Sequence, residues 1–303
     1  MENFIQMAGI QSVLFVYMVV GYACRKANII KSSARQSFTD FVIYITLPCM
    51  VFNSFDMELT AETFKVGAQA LIIASVLAVC ALIVGRFAYN GFAPRTKSIL
   101  QYGTLVSNAG FAGLPIVESA YGSEGLFIGS LFIIPTRILM WSAGISLFTQ
   151  APLKQRIKNV LLNPGIIAVE LGLLRLFFHI PLPAFLNKAI GAFGASTTPL
   201  AMVIVGLILA EVEIKTVFDK RAFILVAVRQ LAFPLIALLV LRMIPGIDPT
   251  TLKVAVVITG MPIGSTTAIL ADKYGADADF ASKCVFVSTL TSLITVPILT
   301  LFL

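Results

Sequence analysis

Two apolar runs in this chain are long enough to cross a bilayer, and each is broken in its middle. The first, residues 98–117, has no charge over 20 residues and holds Asn-Ala-Gly-Phe-Ala-Gly-Leu-Pro at 108–115. About 20 apolar residues in a helix span the hydrocarbon core. Gly110 is expected to end one half-helix in a left-handed turn. Pro115 suits the first turn of the next half-helix, where no backbone N–H is needed. Between them the backbone should unwind. Unpaired peptide groups in lipid cost several kcal/mol each, so such a segment is stable only inside protein or beside a water-filled cavity. Alone, the stretch reads equally as a kinked helix with packing glycines. The second run, 254–271, carries Gly-Met-Pro-Ile-Gly-Ser-Thr-Thr at 260–267. Two broken spans in corresponding positions of two halves mark a transporter site, and the pair favours a crossover over two unrelated kinks.

Composition sets the class. Of 303 residues, 58% are hydrophobic and 12% charged, with a mean hydropathy of +0.94. Soluble domains carry about twice that share of charge, so an all-α polytopic membrane protein is expected. The net charge of +7 is scattered over short loops, which fits topology signals rather than a nucleic-acid surface. Cys24, Cys49, Cys80 and Cys284 are isolated, with neither metal-ligand spacing nor a disulfide framework. His179, the only histidine, precedes Pro181 at a span end and reads as a loop residue. There is no Gly-x-x-x-x-Gly-Lys loop and no Gly-x-Ser-x-Gly elbow. No catalytic residue, metal or cofactor is therefore expected, and an enzyme is the weaker alternative. Met1-Glu2-Asn3 lacks the basic start and cleavage site of a signal peptide, so the first span is expected to be retained.

Ten spans are expected, at 7–24, 36–55, 65–86, 97–120, 125–149, 160–179, 188–210, 221–243, 252–272 and 281–302. Loops after odd-numbered spans hold fifteen Lys and Arg, among them Arg25, Arg35, Lys158, Lys215 and Lys283; loops after even-numbered spans hold five. The positive-inside rule then puts the odd-to-even loops in the cytoplasm and both termini outside, in a multi-pass protein of the inner (plasma) membrane. Thr46-Leu47-Pro48 matches Thr197-Thr198-Pro199, 151 residues later, and Tyr121-Gly122 matches Tyr274-Gly275, 153 residues later. The shared offset divides the chain into repeats at 1–150 and 151–303. Five spans per repeat is odd, so the second is inverted and the broken helices 4 and 9 cross.

These residues resemble the auxin efflux carrier family, especially its short prokaryotic members. The resemblance is carried by Leu47-Pro48 with Val51-Phe52, by the run 107–115, by Asn163-Pro164, by Thr198-Pro199-Leu200-Ala201, and by Met261-Pro262, Ala271, Tyr274-Gly275 and Pro297. It covers essentially the whole chain. Plant members insert a long hydrophilic loop between the halves, where this chain has only residues 150–159. The resemblance implies the bile-acid-symporter-like fold, with a scaffold of spans 1, 2, 6 and 7 and a mobile transport domain of spans 3–5 and 8–10. It also implies homodimers and small organic-anion substrates: auxin-like monocarboxylates, or dicarboxylates such as malonate and malate.

The expected substrate site comprises Asn108, Gly110, Gly113 and Pro115 of span 4 with Met261, Pro262, Ser265, Thr266 and Thr267 of span 9. The Asn108 amide can bind a carboxylate or satisfy freed backbone groups. Ser265, Thr266 and Thr267 read as helix N-caps, at a helix end whose dipole favours an anion. Arg137 and Arg229 lie within spans, where a charge costs about 3 kcal/mol on insertion scales. Each reads equally as a structural cation or a substrate contact, and Glu118 is the partner topology offers Arg137. Pro48 and Pro199 are expected to shape the scaffold wall facing the site. Glu170 and Arg175 read as structural or near the outer surface, and Asp272 and Lys273 as interfacial. The function expected is secondary, elevator-like transport. The alternatives are a sodium-coupled symporter of the bile-acid type and a sensor with a transporter fold.

The topology is directly testable. Single cysteines placed at Ser32 and Ser123 should label from opposite sides of the membrane; labelling of both from outside intact cells would overturn the span count.

Overall fold

The computed structural model describes residues 2–149, 152–211 and 219–303. Lys215 of the orientation count and Gln150 of the inter-repeat connection lie outside them. Every described element is helical except an isolated antiparallel bridge between Ser107 and Ile263. The helices are α1 (Glu2–Lys26), α2 (Ser32–Phe41), α3 (Leu47–Asn53), α4 (Ala61–Ala88), α5 (Pro94–Leu105), α6 (Leu114–Leu139), α7 (Leu153–Leu161) and α8 (Pro164–Phe178). They continue with α9 (Ala184–Ala195), α10 (Thr197–Glu211), α11 (Lys220–Val226), α12 (Phe233–Arg242), α13 (Pro249–Thr259), α14 (Thr266–Lys273) and α15 (Ala278–Thr300). Single π-helical turns join α2 to α3, lead into α6 and join α11 to α12.

Among the described residues, five helical stretches are long and apolar enough to cross a membrane; α7 and α8, bent by 55° to each other, make a sixth if counted as one span. The difference from the ten expected intervals has a physical source, because breaks shorten or fuse the helices. The second broken run appears as α13 and α14, of 11 and 8 residues, each too short to span alone. The opposite happens at Ala109–Leu147, a continuous run of 39 residues. At 1.5 Å per residue that run would be about 58 Å long, nearly twice the hydrocarbon thickness. It is broken at Gly122, whose φ of 64° and ψ of −153° are open essentially to glycine alone.

The helices face lipid with apolar stripes and face one another with small residues. On α4, Ile72, Val76, Val79 and Ile83 are exposed, while Ala70, Ala74, Ala78, Ala81 and Gly85 are buried against neighbours. Such an outward stripe would be costly in water; in lipid it is the solvated face. Between helices, close packing replaces the hydrophobic effect as the source of cohesion. The tightest case is α1 against α10. A Cβ on Gly206 would collide with the Met18 carbonyl, and one on Gly21 with the Val203 carbonyl. Two glycines, one from each helix, let these backbones touch. On the same side of the protein α3 packs against α8 and α9, and Arg175 of α8 pairs with Asp56 at 2.7 Å and with Asn187. Arg175 is thus structural. His179 ends α8 in the left-handed conformation, as a loop residue.

Gly206→Leu should destabilise the protein by more than about 1–3 kcal/mol, because the obstacle is backbone and cannot rotate away. Gly9, with open space around its Cβ position, is the control. Thermal melting of both variants in detergent measures this; equal melting would contradict the packing.

Candidate functional site

Helix α5 stops at Leu105, and Val106 turns extended at φ −107° and ψ 105°. Asn108 comes next but one, at φ −79° and ψ 49°, and the chain re-enters helix through residues 109–113. The other break lies between α13 and α14. The two unwound segments satisfy each other. Asn108 N donates to the Pro262 carbonyl at 2.7 Å, and Gly264 N donates to the Val106 carbonyl at 2.9 Å, on either side of the Ser107–Ile263 bridge. Ile263 N donates to Ser288 Oγ at 3.3 Å. Backbone groups that lipid could not satisfy are thereby paired. The approach is tight at the glycines: a Cβ on Gly113 would stand 3.2 Å from Met261 Cγ, and one on Gly264 3.1 Å from Val106 Cγ1.

This geometry corrects the expectation for Gly110. Among the described glycines only Gly122, Gly246 and Gly275 have positive φ. The first half-helix ends four residues earlier, at Val106, because the chain leaves it extended to pair with the partner segment and needs no left-handed turn. Pro115 does sit in the first turn of α6.

A cavity of about 370 Å³ lies at the crossing. Asn108, Gly110, Arg137, Ser265 and Thr266 line it, with Trp141 and Tyr44. No described side chain or backbone group hydrogen-bonds the Asn108 amide, and its only role toward the following helix is through its carbonyl, which accepts from Ala112 N and Gly113 N. A larger cavity of about 720 Å³, bordered by Arg35, Glu211, Asp279 and Lys283, also reaches Thr39 and Ser265. Thr39 and Ser265 thus line both spaces.

The remaining expected residues divide. Met261 and Thr267 are fully buried, and Gly113, Pro115 and Pro262 are buried in the crossing. They shape it without lining the cavity. Ser265 sits at the N-cap of α14 without a side-chain cap bond, so the capping expectation fails there. The Thr266 hydroxyl accepts instead from Tyr102 OH at 3.2 Å, and the Thr267 hydroxyl has no partner. Pro48 borders a separate apolar groove with Phe52 and Leu171, and the cavity wall is Leu47 instead. Pro199 lines neither cavity at the crossing.

Of the two arginines, Arg137 differs from expectation in its partner. Arg137 has no ion pair with Glu118; its nearest polar partner is Met140 Sδ at 3.4 Å, one turn along its own helix. A Cβ on Gly110 would stand 3.5 Å from Arg137 Nη2, so the guanidinium abuts the unwound segment. Arg229 is 3% exposed, donates to the Thr259 carbonyl at the end of α13, and lies 5.5 Å from the Phe233 ring. Neither arginine has a carboxylate partner among the described residues. Asn108 and Arg137, two candidate anion donors from different spans, thus share one cavity.

Sequence reasoning missed Trp141 and Tyr44. Trp141, the only tryptophan, falls one turn beyond Arg137, and its indole N–H is buried without a partner. A lone tryptophan following an intramembrane arginine was the available signal.

The family model described as Membrane transport protein matches residues 9–160 and 149–300. The chain is 25% identical to an uncharacterized transporter of Methanocaldococcus jannaschii, across 94% of each chain. It is 24% identical to an uncharacterized transporter of Methanothermobacter thermautotrophicus, again across 94% of each. A Rhizobium meliloti protein named "Putative malonate transporter" is 22% identical, across 96% of this chain and 94% of that protein.

Proposed function

The chain belongs to the membrane transport protein family, that of the auxin efflux carriers, and from that premise we propose that it is a secondary transporter of small organic anions. The observation that carries the substrate class is the composition of the crossing cavity. It offers an amide with no protein partner, a guanidinium with no carboxylate partner and the start of helix α14, and no acidic side chain lines it. A carboxylate meets donors there from both breaks. Malonate, malate and auxin-like monocarboxylates are the compounds of choice, malonate also because a relative carries that name.

The proposed architecture is ten spans in two inverted repeats. Its support is the antiparallel pairing of the two breaks and the helicity in every expected interval, so far as the residues are described. The proposed scaffold is spans 1, 2, 6 and 7. In its favour, α1 packs on α10, and α3 on α8 and α9, while α4 to α6 and α11 to α15 pack chiefly among themselves. An elevator motion would move the second group, with the crossing, against the first. The larger cavity borders Arg35 of α2 and Lys283 of α15, in helix starts next to connections assigned to the cytoplasm, which fits an inward-open state with both termini outside. A homodimer through the scaffold rests on the family resemblance; the apolar groove of Pro48, Phe52 and Leu171 on that side is compatible with it. No catalytic role is proposed for any residue.

A thermal-shift screen of the named carboxylates tests the reading, since a bound ligand stabilises the fold by mass action. At least one should raise the melting temperature. Hydrogen bonds to charged groups are worth about 1.5–3 kcal/mol, so Asn108→Ala should weaken binding roughly ten- to hundredfold with stability near wild type. No shift with any of these acids would sink the anion reading. Normal affinity in Asn108→Ala, with affinity lost in Arg137→Gln, would move the anchor to the arginine.

A further inference from the structure

The carbonyls of the last turn of α13, at the start of the break in the second half, can be followed one by one. Val256 and Val257 accept from Gly260 N, and Ile258 accepts from Met261 N at 3.3 Å. The Pro262 carbonyl accepts from Asn108 N. The last helical carbonyl, that of Thr259, takes no described backbone donor and accepts from the Arg229 guanidinium. A helix C-terminus carries about half a negative charge, concentrated on such carbonyls. In transporters, the carbonyl ends of broken half-helices are where coupling cations sit.

Arg229 is an odd residue to find there unless it does that work. It comes from a different helical stretch, the π-helical turn between α11 and α12, 30 residues away in sequence. Its side chain is buried, with no carboxylate partner among the described residues, and its Nε has no hydrogen-bond partner. Only carbonyl oxygen and the Phe233 ring face it as described partners. A buried charge without a counter-ion is costly. The dipole end of α13 and the face of the ring offset part of that cost.

We propose that Arg229 is the resident cation of the α13 break: its guanidinium occupies the carbonyl end that a co-transported metal cation would otherwise neutralise. The neighbouring anion site then fills without a metal ion. This meaning for transport rests on the anion-site reading above; the cation role itself does not. It argues against the sodium-coupled alternative, and it supplies a fixed positive charge at the end of α13. The role belongs to a positioning residue, because Arg229 does not line the anion cavity.

The test melts the purified full chain in sodium chloride and in choline chloride of equal ionic strength. Wild type should melt at the same temperature in both. Arg229→Met should melt several degrees lower, and low-millimolar guanidinium should restore it, as should sodium in part, whereas choline should not. Arg229→Lys, which keeps the charge, should melt between the two and respond little to guanidinium. A role in packing alone predicts a low-melting Arg229→Met that no small cation rescues, and that result overturns the proposal. So does a wild type that sodium stabilises over choline, and this comparison decides alone if Arg229→Met does not accumulate. Binding of radiolabelled malonate to wild type should be equal in the two salts. Absence of malonate binding in both would count against the substrate reading, while the melting result would still decide the role of Arg229.

Discussion

Two backbone hydrogen bonds, Asn108 N to the Pro262 carbonyl and Gly264 N to the Val106 carbonyl, join the two unwound segments of this fold. A broken helix in a membrane exposes peptide groups that lipid cannot satisfy, at several kcal/mol for each group. One broken span alone would have to bury those groups against side chains or water. Two broken spans laid antiparallel can exchange them. The residues around the exchange are dictated by it: glycines at 113 and 264 where the segments nearly touch, and Ser288 to take the Ile263 N–H. Behind Ser288, the Gln230 side chain donates to the Ser288 carbonyl, and one face of α15 is buried.

The same constraint produces the electrostatics. Chain breaks at membrane depth leave helix ends pointing inward, and helix ends carry charge. The end of α13 meets Arg229. The start of α14 opens on a cavity beside Arg137 and Asn108. No carboxylate lines the smaller cavity at the crossing; those that pair with arginine, at Asp56, Asp219 and Glu211, lie at loops or helix ends. An interior with two arginines, no described ion-pair partner for either, and an unpartnered side-chain amide beside one of them is the basis of the anion reading proposed above.

Glycine and proline inside uncharged runs made the two breaks legible, because they are local signals, and the matches of Thr46–Pro48 with Thr197–Pro199 and of Tyr121–Gly122 with Tyr274–Gly275 suggested their partnership. The all-helical class came from composition. What could not be read was set by contacts distant in sequence. The helix unwinds at Val106 rather than Gly110 because Ile263 is there to pair with Ser107. Arg137 lies against Gly110 and forms no ion pair with Glu118, from which the break at Gly122 separates it along α6. Pro48 faces the outer groove while Leu47 faces the cavity, a difference of one residue that helical register alone decides. Ser265 has the right residue type and position for a cap, yet its hydroxyl makes no cap bond. Of the nine expected binding residues, Asn108, Gly110, Ser265 and Thr266 line the cavity, and the others build its walls from behind.

The most direct test is a cysteine pair at Ser107 and Ile263. Their bridge is of the non-hydrogen-bonded kind, in which opposed Cα atoms lie about 4.5 Å apart, inside the range a disulfide accepts. With the native cysteines replaced and a protease site inserted between the two halves, mild oxidation should leave the halves covalently joined after cleavage. Halves that separate after oxidation, in a protein that still folds, would contradict the crossing on which the site and its electrostatics depend.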